Sequence, residues 1–89
     1  MKIKPEYTVR FEEGDVCVVR LRPDGREEYV APLTDSAAMA WEGLARGASR
    51  ETIVDAVANE FEGASRDAVA RDLDAFFAQL LALGFAEEE

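Results

Sequence analysis

Val16-Cys17-Val18-Val19-Arg20-Leu21-Arg22, followed at once by Pro23-Asp24-Gly25, is the stretch whose reading decides the fold. The run is β-branched and ends by alternating, with Cys17, Val19 and Leu21 on one face and Val18, Arg20 and Arg22 on the other. On this reading Cys17 faces inward as a small hydrophobe between valines. Pro23 presets φ for a turn and Gly25 accepts positive φ, so the chain doubles back. Upstream, Tyr7-Thr8-Val9-Arg10-Phe11 alternates at period two and Glu13-Gly14-Asp15 marks another turn. Downstream, a third strand is predicted from about Arg26 to Ala31, closed by Pro32, which has no N–H to give to a ladder. The expected sheet is a three-stranded antiparallel meander with the second strand central.

From Thr34 the period lengthens to about 3.6 residues. Ala37, Ala38, Trp41, Leu44 and Ala45 form one apolar face of a first helix, capped by Thr34 or Asp35 and stopped by Gly47. Trp41 is expected in the core. Ser49 caps a second helix with Ile53, Val54, Val57, Ala58 and Phe61 as its stripe, ended by Gly63. Ser65 caps a third, in which Val69, Leu73, Phe76, Phe77, Leu80 and Leu83 recur at helical spacing. Gly84 is the candidate left-handed stop, with Phe85 folding back on the last turn. Glu87-Glu88-Glu89 reads as a frayed acidic tail. Strands followed by helices predict an α+β fold, three helices on one face of a small sheet.

The chain has 89 residues, 48% apolar and 33% charged, which suits one globular domain spanning 1–89. No run approaches the roughly 18 apolar residues of a membrane span and the first residues lack a secretory signal, so a cytoplasmic protein with no membrane partner is expected. With no histidine and a single cysteine, neither a metal site nor a cofactor is expected. Catalysis finds no support either: there is no Gly-x-Ser-x-Gly elbow, no phosphate-cradling glycine loop and no histidine base. Asp72 and Asp74, two apart on a helix, do not face each other; Asp74 reads as solvated surface and Asp72 as the edge of the apolar stripe.

The net charge of −9 is uneven. Residues 1–48 carry seven basic and nine acidic side chains, whereas residues 49–89 carry three and ten. Clustered cations are what phosphates require, so nucleic acid is not expected as a partner. The more informative feature is the third strand. At the edge of a meander it presents unpaired N–H and C=O groups that an extended peptide can pair with, unless Glu27 and Glu28 merely blunt it. The same edge can also pair with its own copy, which makes a homodimer an alternative use of the strand.

Leu33-Thr34-Asp35-Ser36-Ala37-Ala38-Met39-Ala40-Trp41, then Gly47 and Ser49 through Phe61, resembles the PqqD family's pattern of a leucine, a small polar cap, an apolar helix ending at glycine and an amphipathic second helix. Arg71-Asp72-Leu73 with Phe76, Leu80, Leu83, Gly84 and Phe85 is similar to the family's terminal signature. The resemblance covers nearly the whole chain. It implies a winged helix-turn-helix-like fold that binds the leader segment of a ribosomally made precursor peptide. That peptide would be handed to a modifying enzyme, a radical-SAM maturase or a lasso-peptide protease. The leader would lie as an added strand on Glu28, Tyr29, Val30 and Ala31, facing Ala68, Arg71, Asp72, Ala75, Phe76 and Gln79 on the third helix. Thr34 stands where relatives often carry Asn, and either residue caps a helix. Pro32 is expected to shorten the pairing edge and to mark where the leader's register ends.

Two other classes compete with this reading. A winged-helix DNA-binding regulator would need a basic recognition helix, but Ser65 to Asp74 holds two arginines against three aspartates. A structural subunit would dock on an enzyme without touching its substrate.

Overall fold

Two tight turns shape the sheet of this computed structural model, which describes residues 1–61 and 63–88. β1 (Lys2–Ile3) precedes β2 (Tyr7–Glu12), β3 (Asp15–Leu21) and β4 (Glu27–Leu33); α1 (Asp35–Ala45), α2 (Arg50–Glu60) and α3 (Arg66–Ala82) follow, then β5 (Ala86–Glu87). Glu13 and Gly14, at φ 47° and 85°, make the two-residue turn between β2 and β3, a pair of positive φ values that matches the twist of a hairpin. Gly25, at φ 86°, closes the second turn by donating to the Arg22 carbonyl at 3.0 Å, and the Asp24 carboxylate accepts from the Arg26 N–H. The sheet order β2-β3-β4 is the predicted meander.

The helices cap as their sequences require. Thr34, Ser49 and Ser65 each accept, through the side-chain hydroxyl, the N–H three residues on. α1 and α3 both end in paired backward hydrogen bonds around a left-handed glycine: Gly47 to Leu44 and Ala48 to Gly43, then Gly84 to Leu81 and Phe85 to Leu80. The Phe85 ring is thereby set edge-on to Tyr7, centroids 4.8 Å apart, and 6.0 Å from Trp41.

The core joins one face of the sheet to all three helices through Val18, Trp41, Ile53, Val54, Val57, Leu73, Phe77 and Leu80. Three sequence expectations are corrected here. Cys17 is only half-buried, and Val18, with no exposed surface, is the β3 residue that joins the helices in the core, so the inward face of β3 is the Val16 and Val18 face, while Val19 on the opposite face is buried as well. Ala45 and Leu83 fall outside their predicted stripes and are exposed. Glu87 is not part of a frayed tail: β5 pairs antiparallel with β1, Lys2 opposite Glu87 and Ile3 opposite Ala86, and the Ala86 side chain is buried. Glu89, the last residue of the expected tail, lies outside the described residues.

An ion-pair lattice ties α2 to α3. Arg50 donates to both carboxylate oxygens of Asp74, at 2.7 and 2.6 Å, and to Glu51 at 2.6 Å. Arg66 donates to Asp55 and to Glu51, both at 2.8 Å. Guanidinium hydrogen bonds hold the Asp74 and Glu51 carboxyls below their ordinary range.

Two outcomes are expected. Gly43 sits where α1 crosses α2, and a Cβ there would stand 2.7 Å from Ile53 Cγ1. Gly43→Ala should therefore destabilise the fold by about 1–3 kcal/mol in urea unfolding, because buried, branched Ile53 has little room to shift. Carboxyls with lowered folded-state values contribute stability that is present above the unfolded-state range and lost as pH falls through the folded one. Arg50→Gln should accordingly lower the melting temperature at pH 7. Its difference from the wild type should shrink as pH drops below the ordinary values of 3.8 for Asp74 and 4.5 for Glu51.

Candidate functional site

The free edge of β4 follows from hydrogen bonds one strand away. Leu21 donates its N–H to the Glu6 carbonyl on the β2 side at 2.6 Å, whereas Arg22 donates to the Arg26 carbonyl on the β4 side at 2.8 Å. Main-chain groups of successive strand residues point to opposite sides, so Val16, Val18 and Arg20 bond toward β4. Their partners are Leu33, Ala31 and Glu28. Opposite Cys17, Val19 and Leu21 stand Pro32, Tyr29 and Glu27, whose main-chain groups are therefore turned to the open edge.

This geometry corrects the expectation that Pro32 closes the strand. β4 runs through Pro32 to Leu33, because the nitrogen without a hydrogen points away from the ladder and costs it no bond. The edge keeps the Pro32 carbonyl as an acceptor but has no donor there. Val30 is an extra residue: Val18 pairs with Ala31 and Val19 with Tyr29, which leaves a bulge between them. Its side chain packs against the core.

The two glutamates that could have blunted the edge are each held by an arginine. Arg10 of β2 donates through Nε to both Glu27 carboxylate oxygens at 3.0 Å, reaching across β3 and holding that carboxyl below its usual range. Glu28 accepts from Arg22 at 3.1 Å. Tyr29 is 64% exposed, on the face of the sheet opposite the helices.

Between the end of β4 and α3 runs an open groove. Pro32 and Leu33 form one wall, Asp72, Phe76 and Gln79 of α3 the other, and Thr34, Ser36 and Ala37 at the start of α1 close one end. Of the predicted site residues, Asp72, Phe76 and Gln79 thus come together. Glu28, Tyr29, Val30 and Ala31 lie along the edge strand beside it. Ala68, Arg71 and Ala75 share the α3 flank, Ala68 half-buried and the other two exposed, but they do not line the groove.

Sequence reasoning missed the contribution of Leu33, Ser36 and Ala37. The signal was present in the Thr34 cap, since a helix beginning directly after an edge strand brings its first turn to that strand's end. Charge is sorted as well. Among the described residues, Asp74, Glu51 and Asp55 are paired with arginines on the α2 side of α3, while no ion pair reaches Asp72 on the groove side.

This fold has close counterparts among solved structures. TbiB1 in complex with the TbiA(beta) leader peptide superposes with a TM-score of 0.77 at 28% identity, over 100% of this chain and 98% of that one. Lasso peptide synthetase B1 complexed with the leader peptide gives 0.75 at 26% identity, over 98% and 96%. No curated protein matches the chain by sequence. The family model described as coenzyme PQQ synthesis protein D (PqqD) matches residues 17–86, from the middle of β3 to β5, and the chain belongs to the PqqD family.

Proposed function

We propose that this chain recognises the leader segment of a ribosomally synthesised precursor peptide and presents it to a modifying enzyme. It does no chemistry itself, and residues 1–89 act as one recognition domain. The observation that carries the reading is the open edge of β4, with outward main-chain groups at Glu27, Tyr29 and Pro32, lying directly beside the groove of Leu33, Asp72, Phe76 and Gln79. Both solved relatives hold leader peptides, which supports the same class of ligand here. An extended peptide added at this edge gains main-chain hydrogen bonds, and every second side chain is directed to the α3 side. Glu28, Tyr29, Val30 and Ala31 form the strand element of the proposed site. Ala68, Arg71, Asp72, Ala75, Phe76 and Gln79 form its helical element.

The enzyme served is a lasso-type leader protease or a radical-SAM maturase, of which the first suits the lasso relative better. No helix among the described residues is long and apolar enough to cross a membrane, which is compatible with the cytoplasm as the proposed site of action.

Calorimetric titration with the leader segment of the precursor encoded beside this chain tests the reading. A dissociation constant in the micromolar range or tighter, about 8 kcal/mol or more of binding free energy, is expected. Tyr29→Pro removes an outward N–H without breaking a bond to β3 and should weaken binding at least about tenfold; equal affinity in that variant would rule out strand addition at β4. Basic leader residues are expected to meet Asp72. Binding should therefore weaken as salt is raised from 50 to about 500 mM, and Asp72→Asn should flatten that dependence.

A further inference from the structure

On the other side of α1 from the groove lies a second hollow that peptide recognition leaves unused. Phe11 of β2 is 62% exposed, an unusual state for an aromatic side chain on the helix-facing side of a sheet. With Met39 of α1 and Phe61 at the end of α2 it frames an apolar depression, and Asp35, Glu42 and Glu60 stand around it. Among the described residues no lysine or arginine lines it. Of these carboxylates Glu42 has a loose partner in Arg46, 72% exposed, whose Nη1 lies 3.9 Å away. An apolar centre ringed by carboxylates is complementary to an apolar side chain carried between cations.

Resting on the proposed function above, we infer that this hollow is where the modifying enzyme docks, through an apolar side chain flanked by lysine or arginine. A second copy of this chain fits poorly, since it brings the same carboxylates and a net charge of −9. The leader is held elsewhere. β2 and β4 are opposite edges of the sheet, about 10 Å apart across β3. The first turns of α1 separate the two sites, Ser36 and Ala37 facing the groove while Asp35 and Met39 face the hollow. Enzyme and leader can therefore occupy the protein together, as presentation of a bound peptide requires.

The test uses biolayer interferometry with the full chain and the peptide-modifying enzyme encoded beside the precursor, and measures leader affinity in parallel. Phe11→Glu should weaken enzyme binding at least about tenfold, and so should the pair Glu42→Lys with Glu60→Lys, while leader affinity stays unchanged. The double variant alters the rim alone and serves even if Phe11→Glu does not fold. Unchanged enzyme binding in the double variant, or a wild type that takes the leader and not the enzyme, overturns the inference and leaves leader recognition standing. Failure of the wild type to bind the leader sinks the proposed function instead. Self-association in sedimentation that Phe11→Glu abolishes would assign the hollow to a second copy and overturn it too.

Discussion

The contact that most of this molecule depends on is the burial of Val18, at the middle of β3, against the helices. A strand side chain cannot slip by one position without moving every neighbour to the opposite face. Holding Val18 inward therefore holds Val16 inward, turns Cys17 outward and fixes which residues of β4 bond to the ladder. From that register comes the outward direction of the Tyr29 and Pro32 main chains. The proposed function is thus a consequence of core packing one strand away: a central strand satisfied on both sides leaves an edge strand satisfied on one.

Much of this was legible in the amino-acid sequence, for identifiable reasons. Turn residues such as Glu13-Gly14 and Asp24-Gly25, and the hydroxyl caps Thr34, Ser49 and Ser65, act over three or four positions and announce themselves locally. The face of β3 was not legible because Val16, Cys17, Val18 and Val19 are all apolar, and a period of two cannot be read from an unbroken apolar run. The part played by Pro32 is hidden in the sequence for a related reason. A proline ends a ladder only where its nitrogen faces a partner, and that depends on register rather than on the residue. The β1–β5 pair spans two residues on each side, too short for any periodicity.

The candidate site divides in the same way. Asp72, Phe76 and Gln79 follow from the helical wheel of α3, since the buried stripe of Val69, Leu73, Phe77 and Leu80 leaves one flank to face β4. Leu33 and the first turn of α1 belong to the groove only because the strand passes through Pro32 before the helix begins. Electrostatics sharpens the division. Arg50 and Arg66 take part in ion pairs where α2 meets α3, which leaves Asp67 in the first turn of α3 and Asp72 on its groove side, beside Arg71, outside that lattice.

The short β1–β5 ladder has a consequence for protein engineering. With Lys2 opposite Glu87, the two ends of the fold leave it side by side, Cα atoms about 5 Å apart across an antiparallel pair. A few glycines would bridge them, so the fold from β1 to β5 can be circularised, or reopened at the exposed Arg22 to Arg26 turn, without disturbing Val18. By the same geometry the fold can be spliced into a surface loop of another protein, because its ends demand no more separation than the loop's own flanks already have.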